Sequence, residues 1–154
     1  MTARIDKANL SDPQVREMIA FHQQDMEAMS PPGTSFALDL AGLSGPQVTV
    51  LGAWEGEYLL AIGALKRIGP GQAELKSMRT RPQHLKRGLA TAILEALIAM
   101  ARDEGVTRLS LETGTTGEFE PAISLYSKYG FARGEAFADY INGPDNQCYH
   151  LELG

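Results

Sequence analysis

The chain has 154 residues, 44% of them hydrophobic and 21% charged; this size fits one domain over residues 1–154, and no apolar stretch reaches the roughly 20 residues of a membrane helix. Its 19 acidic and 14 basic residues give a net charge of −5, which argues against nucleic acid and anionic membranes as partners. With no apolar leader at its start and Cys148 as its one cysteine, we expect a cytoplasmic protein without disulfides or a metal site.

The N-terminal part of the chain predicts a short strand and a helix. A brief apolar start at Ile5 is followed by Ser11, a typical helix cap, and by a proline suited to the first helical turn. Hydrophobic residues then recur at helical spacing, which predicts a helix with one buried stripe. The Pro-Pro-Gly of residues 31–33 ends this helix. Residues 34–45 are ambiguous, with a short helix favoured around residues 37–40.

Three antiparallel strands are predicted next. Residues 48–54 and 57–68 form two strands joined by a tight turn, and the second is apolar on both faces, as in a central strand. The third strand, residues 73–80, is polar on both faces, which is unusual in the middle of a domain. Regular alternation would place four of its residues on one side: Glu74, Lys76, Met78 and Thr80.

The second half of the chain alternates helices and strands. The longest helix is predicted over residues 88–103, followed by a strand over residues 108–112 and a short helix that carries Tyr126. Two closing strands are predicted over residues 131–140 and 147–153. This order predicts an α/β (α+β) domain in which a mixed sheet has helices on both faces.

The sharpest local signal is the basic turn between the third strand and the long helix, residues 81–91. Pro82 ends the strand, Gly88 permits a left-handed backbone, and the helix then presents its first free N–H groups. The helix dipole, Lys86 and Arg87 make this turn attractive to a phosphate. The turn lacks the fingerprints of ATP-binding and dinucleotide-binding loops, which argues against nucleotide hydrolysis and hydride transfer. The alternative is a basic loop that only caps the helix.

Two motifs together resemble the GNAT superfamily of acyl-CoA-dependent N-acetyltransferases. The first runs from MRTRP to LKRGLA over residues 78–90, and the second is AISLYSKYGF, residues 122–131. Gly88 and Ala90 match the family signature, whereas Leu85 stands where Gln or Arg is usual. Further short motifs are similar to the small bacterial branch labelled YsnE-like. The resemblance implies a largely antiparallel sheet of six to seven strands, splayed between the fourth and the fifth.

The resemblance also implies acetyl-CoA as co-substrate and a place for it. The pantetheine arm would pair with strand amides in the splay, and the pyrophosphate would lie on main-chain N–H groups of the basic turn. The residues assigned to the donor in this way are Met78, Arg79, Thr80, Leu85, Lys86, Arg87, Gly88, Leu89, Ala90 and Thr91.

Acetyl transfer to an amine requires that an ammonium lose a proton and that the departing thiolate gain one. Tyr126 matches the family position whose hydroxyl faces the CoA sulfur, which makes it the expected general acid; a core aromatic is the alternative. Glu74 matches a position where many relatives keep a catalytic Glu and is the expected base, against a salt bridge to Lys76 or a relay through water. Glu112 is expected to be structural or to orient the acceptor.

The implied function is transfer of an acetyl group from acetyl-CoA to a primary amine of a small molecule or peptide, by direct attack in a ternary complex. His22 and Tyr140 join Glu112 as candidate acceptor-binding residues, with ordinary packing as their alternative. Two rivals stay open: a non-catalytic acyl-CoA sensor or toxin-neutralising module, and a transferase for a larger acyl group or a non-amine acceptor. Family analogy adds a possible homodimer, and the sequence does not name the acceptor.

Overall fold

The structure, a computed structural model, describes residues 3–31 and 37–154. Its helices are α1 (Pro13–Met29), α2 (Leu40–Leu43), α3 (Leu89–Asp103) and α4 (Glu120–Lys128). Its strands are β1 (Arg4–Lys7), β2 (Val48–Glu55), β3 (Tyr58–Gly69), β4 (Gln72–Thr80), β5 (Arg108–Gly114), β6 (Ala132–Arg133) and β7 (Asn146–Glu152). Short 3₁₀ turns at Pro82–His84 and Gly117–Phe119 precede α3 and α4.

The described strands form one seven-stranded sheet in the order β1-β2-β3-β4-β5-β7-β6. Its neighbouring strands are antiparallel except for β4 and β5, which are parallel. Residues 72–74 of β4 pair with residues 108–110 of β5, and the pairing stops there although both strands continue. The prediction of a mixed, largely antiparallel sheet that is splayed between its fourth and fifth strands is confirmed.

Two apolar cores lie on opposite faces of this sheet. On one face, α1 and α2 pack their buried Val15, Ile19 and Leu43 against β2 and β3. On the other face, buried residues of α3, including Ile93 and Leu97, form the larger core, to which α4 also contributes. Helices therefore cover both faces, as predicted, and the splay between β4 and β5 opens between the two layers.

A β-bulge interrupts β4 beyond the end of its pairing with β5. Lys76 pairs with Ala64 of β3 and Arg79 pairs with Ile62, so β4 uses one residue more than β3 across this stretch. Ser77 lies inside the bulge with a φ of 56°, in the left-handed region that non-glycine residues rarely occupy.

The bulge changes which side chains of β4 share a face. Met78 packs against the core on the α3 side, whereas Arg79 reaches α1, where its Nε donates a hydrogen bond to His22. The predicted single face, made of Glu74, Lys76, Met78 and Thr80, is therefore wrong beyond the bulge. An extra residue inverts the alternation of a strand, and the sequence pattern carries no mark of it.

The starts of two helices also differ from the prediction. Asp12, and not Ser11, caps α1 by accepting the N–H of Gln14 at 2.8 Å. The short helix α2 begins after Asp39, whose carboxylate accepts the N–H of Gly42, and so lies later than predicted. The predicted Pro-Pro-Gly stop extends into residues 32–36, which lie outside the described residues. No helix in the described parts of the chain is long and apolar enough to cross a membrane.

The sixth strand is much shorter than predicted. A strand is predicted over residues 131–140, but ladder pairing is limited to Ala132–Arg133. From Gly134 the chain leaves the sheet as a loop over residues 134–145. The side chain of Asn142 holds this loop in place, because its Nδ2 donates to the Gly134 carbonyl at 2.9 Å. A side-chain amide thus takes over the hydrogen bonding that the strand prediction gave to a ladder.

Candidate active site

The basic turn presents main-chain N–H groups at the start of α3. The first helical hydrogen bond of α3 runs from Ala92 N to Gly88 O at 3.0 Å, so the amides of residues 89–91 precede the helical ladder. Gly88 has a φ of 77° and Lys86 a φ of 65°, which turns the chain sharply here. The amides of a helix start and its dipole together favour a phosphate, as predicted for this turn.

The arginines of the basic turn are held by neighbouring groups. Arg87 forms an ion pair with Glu55 at 3.0 Å. The Arg81 guanidinium lies over the ring of Tyr58, 4.7 Å from its centroid, and donates to the carbonyl of Leu59. The turn is therefore anchored to β2 and β3 through its arginine side chains, while the amides of residues 89–91 stay outside the helical ladder.

The C-terminal part of β4 links this turn to the splay. Arg79 and Thr80 pair with β3 on one edge of the strand. On the other edge, the ladder that joins β4 to β5 ends at Glu74 in the described part of the chain. The structure thus brings the predicted donor residues of β4 and of the basic turn together along one continuous path.

A cluster of polar side chains lies on the α1 side of the splay; we call Glu74, Lys76, Glu112 and Tyr140 the polar cluster. The Tyr140 hydroxyl donates to Glu74 Oε2 at 2.5 Å, and Lys76 Nζ lies 3.1 Å from the same oxygen and 2.6 Å from the Tyr140 hydroxyl. The side chains of Glu74 and Lys76 are only 3% and 9% exposed. The Glu74–Lys76 ion pair anticipated from the sequence is present, and Tyr140 completes it.

Glu112 is a carboxyl group of the polar cluster whose pKa is raised by its surroundings. Burial raises the pKa of Glu112 to about 7; the positive charge of Lys76 opposes this shift and the negative charge of Glu74 reinforces it. A hydrogen bond from Asn146 also acts to lower the pKa. A carboxyl group poised in this way can take up a proton from an amine and release it again at physiological pH.

His22 forms part of the α1 wall beside the polar cluster. Arg79 Nε donates to His22 Nδ1 at 2.9 Å, and Arg79 Nη1 pairs with Asp25 at 2.7 Å. Burial lowers the pKa of His22 to about 3, and the positive charges of Arg79 and Lys76 add to this effect. The imidazole is therefore neutral, and its Nδ1 accepts a hydrogen bond from Arg79.

Tyr126 lies on the opposite side of the sheet from the polar cluster. It is 8% exposed in the core beneath α3, and its ring meets that of Phe131 edge-on with centroids 5.7 Å apart. Burial raises the pKa of Tyr126 above its ordinary value, so the phenol keeps its proton. The expected acid and the titratable Glu112 are therefore on different faces, with the splay between their layers.

Sequence reasoning missed two features of this site. The alternation pattern gave Ser77 no part in it, yet Ser77 sits in the bulge of β4. The pattern also placed Tyr140 on a strand, whereas a loop brings it to Glu74 across 66 residues of sequence. Among the described residues, no group of three or more His, Cys, Asp or Glu side chains is placed to hold a metal ion.

Known proteins resemble this chain over nearly its whole length. The family model described as "Acetyltransferase (GNAT) family" matches residues 14–131. YedL of Escherichia coli (strain K12), an uncharacterized N-acetyltransferase, is 46% identical over 145 residues, covering 94% of this chain and 91% of YedL. YsnE of Bacillus subtilis (strain 168), also an uncharacterized N-acetyltransferase, is 43% identical over 146 residues, covering 95% of each chain.

The fold has a counterpart among solved structures. A crystal structure from Klebsiella pneumoniae subsp. pneumoniae MGH 78578, described as a candidate acyl-CoA N-acyltransferase, superposes with a TM-score of 0.82. The two sequences are 27% identical, and the match covers 99% of this chain and 98% of that one.

Proposed function

Because this chain belongs to the GNAT family of acetyltransferases, we propose that the acetyl group it takes from acetyl-CoA goes to a primary amine of a small molecule or peptide. Membership confirms the resemblance predicted from two motifs, including the YsnE-like branch. The observation that carries the amine proposal is the position of the polar cluster, with a carboxyl of pKa about 7, beside the splay.

Acetyl-CoA fits the path from the basic turn to the splay. The amides of residues 89–91 and the left-handed backbone at Lys86 and Gly88 form a cradle for a pyrophosphate. The edge of β4 that faces the splay offers Met78, Arg79 and Thr80 for main-chain pairing with an extended arm. This support comes from the main chain, so Leu85, where Gln or Arg is usual, leaves the cradle intact.

We assign the general base to Glu112 in place of Glu74, which the sequence favoured. Glu74 Oε2 already receives hydrogen bonds from Lys76 and Tyr140, and a buried pair of this kind is costly to break. Glu112 has a pKa of about 7 and belongs to the same cluster. In this arrangement Glu74 and Lys76 position Tyr140 and set the electric field at Glu112. Glu112 accepts the proton of the amine directly or through an intervening water.

The transfer step then uses both faces of the sheet. Glu112 takes a proton from the ammonium, and the nitrogen lone pair forms a C–N bond with the thioester carbon in a ternary complex. The C–S bond breaks with its electron pair on sulfur, and Tyr126 donates a proton to that sulfur. Glu112 passes its first proton to solvent and then takes the second proton that the new amide nitrogen must lose, and the Tyr126 phenolate regains a proton from solvent. Because the base and the acid lie on opposite faces, the incoming amine and the leaving thiol approach and depart on different sides.

A CoA-release assay over an acceptor panel tests the proposed function. The panel contains polyamines, amino acids, aminoglycosides and peptides with free N-termini, and we expect saturable release with at least one amine. A chain that is thermally stabilised by CoA yet turns over no amine would contradict the proposal in favour of a binding module. Turnover of alcohols or longer acyl donors alone would contradict the assignment of acceptor or acyl group. Light scattering on the same preparation measures the homodimer proposed by family analogy.

Tyr126→Phe tests the assignment of the acid. Loss of the phenol proton removes the donor for the leaving thiolate, so we expect kcat to fall by about 100-fold with the KM for acetyl-CoA unchanged. The variant keeps the ring that packs on Phe131, so its melting temperature reports whether the core is intact. Equal turnover by Tyr126→Phe and wild type at all pH values would leave Tyr126 as a core aromatic only.

A further inference from the structure

Ser77 carries a buried hydroxyl without a hydrogen-bond partner among the residues that the structure describes. The residue is 8% exposed, and its Oγ is screened from solvent. A buried hydroxyl that is left unpaired is unfavourable, and such groups in native proteins call for an explanation. An alanine here would avoid this cost without changing the shape of the strand.

The backbone at Ser77 is also strained. Its φ of 56° lies in the left-handed region, where glycine is the residue without a steric penalty. Strain of this kind persists where the surrounding structure over-determines it, and it clusters at functional sites. Two unfavourable features, one of the side chain and one of the backbone, therefore coincide at one residue.

The position of Ser77 along β4 relates it to the proposed reaction. Pairing with β5 ends at Glu74, and the edge expected to hold the pantetheine arm begins at Met78. Lys76, which precedes Ser77, belongs to the polar cluster. Ser77 thus lies between the proton-accepting cluster and the arm, at the level where the thioester must be placed for the amine to reach it.

Resting on the proposed function, we propose that Ser77 is a further catalytic residue whose hydroxyl donates a hydrogen bond to the thioester carbonyl oxygen of bound acetyl-CoA. As the amine nitrogen adds to the carbonyl carbon, the π electron pair moves onto this oxygen, and the hydrogen bond strengthens. When the C–S bond breaks, the electron pair returns and the carbonyl is restored. Ser77 keeps its proton throughout, so its contribution is electrostatic stabilisation of the developing oxyanion.

The contrast between acetyl-CoA and CoA isolates this contact. Both molecules carry the pyrophosphate and the arm, but the carbonyl oxygen is present in acetyl-CoA alone. In wild type, the thermal shift produced by acetyl-CoA should therefore exceed the shift produced by CoA. We expect Ser77→Ala to keep the CoA shift, to lose this extra increment, and to lower kcat by about 100-fold.

The stability of the unliganded variants provides a second readout. Ser77→Ala removes an unpaired hydroxyl, so its melting temperature without ligand should equal or exceed that of wild type. Ser77→Gly also relieves the left-handed strain and should melt higher still, with the same loss of kcat. Activity that falls while stability holds or rises is not the signature of a damaged fold.

Ser110 offers a matched control on β5. It is 3% exposed, and its hydroxyl is paired with His150 Nδ1 at 2.7 Å. Ser110→Ala should therefore lower the melting temperature of the unliganded protein, opposite in sign to Ser77→Ala, while retaining the extra increment of acetyl-CoA over CoA.

The possible results separate the two proposals. A Ser77→Ala variant with the wild-type increment and kcat overturns the Ser77 inference and leaves the proposed function standing. Loss of the CoA shift itself also overturns it, because Ser77 would then hold the arm and not the carbonyl. If neither ligand shifts the melting of wild type, the proposed function fails and the Ser77 inference fails with it.

Discussion

The basic turn and the polar cluster are built in opposite ways. The basic turn is one continuous segment, residues 81–91, and in the proposed function it binds acetyl-CoA through main-chain N–H groups at the start of α3. The polar cluster takes side chains from β4, β5 and a loop, and two of its members are 66 residues apart. A ligand portion common to all acyl-CoA molecules can be held by backbone alone, whereas choosing and activating an acceptor requires specific side chains.

The two regions should also respond differently to substitution. Main-chain N–H groups remain when a side chain changes, which explains how Leu85, 59% exposed, is tolerated in the basic turn. In the polar cluster, loss of one member leaves a buried charge or hydroxyl without its partner, which is strongly unfavourable. Substitutions in the cluster should therefore act on kcat and stability, and those in the turn on the binding of acetyl-CoA.

Glu112→Gln should give the largest effect. Removal of the base should lower kcat by about 10²- to 10⁴-fold. Because Glu112 has a pKa of about 7, the wild-type rate should rise with pH through 7, and this rise should be absent from the variant. Rate profiles between pH 5 and 9 measure both effects. A rise near pH 7 that persists in Glu112→Gln would show that another group is the base.

The same variant has a stability signature with a defined sign. The folded pKa of about 7 lies above the ordinary value of 4.5, so the folded state binds the proton more tightly than the unfolded state. Glu112 therefore contributes stability below pH 4.5 that is lost as pH rises toward 7. Glu112→Gln should gain stability relative to wild type across this interval, and denaturant titrations at several pH values measure it.

Tyr140→Phe should give an intermediate effect. The variant removes the hydroxyl that donates to Glu74 and lies 2.6 Å from Lys76 Nζ, while the ring over Lys76 remains. We expect kcat to fall about tenfold, the melting temperature to drop by a few degrees, and the KM for acetyl-CoA to stay constant. A rise in that KM without a change in kcat would mean that the cluster serves the donor, and the contrast between the regions would fail.

Gly88→Ala should give the smallest effect. The φ of 77° strains an alanine by roughly 1 kcal/mol, and apart from its two chain neighbours no described residue has an atom within 4 Å of the added Cβ. The KM for acetyl-CoA should rise about fivefold with kcat unchanged, as expected for a site that only binds. Steady-state kinetics at saturating amine test this. A fall in kcat alone would place the basic turn in the chemistry.

The sequence was more informative about the basic turn than about the polar cluster for a physical reason. Proline, glycine and a helix start act locally, so residues 81–91 could be interpreted without knowledge of distant contacts. The splay followed from the resemblance to GNAT proteins, and the sheet order agrees with it. Features that depend on one segment alone, or on a family pattern, were therefore predictable.

The missed features depend on contacts between distant segments. The bulge at Ser77 exists because β4 and β3 advance by different numbers of residues, and no turn residue marks it. The loop over residues 134–145 is held by Asn142, whose side chain bonds to the carbonyl of Gly134, eight residues earlier in the chain. The pKa of Glu112 depends on burial by the folded chain, which the local sequence does not encode.

The described strands form one continuous sheet that separates the α1 side from the α3 side, and the gap between β4 and β5 connects the two sides. In the proposed mechanism the nucleotide end of the donor stays on the α3 side and the acceptor on the α1 side, so neither has to leave before the other can enter. An inhibitor that joins both substrates would have to pass between β4 and β5 beyond the end of their pairing. Its linker would have to cross the sheet at this point, so the parts that bind the two sites would lie on opposite faces.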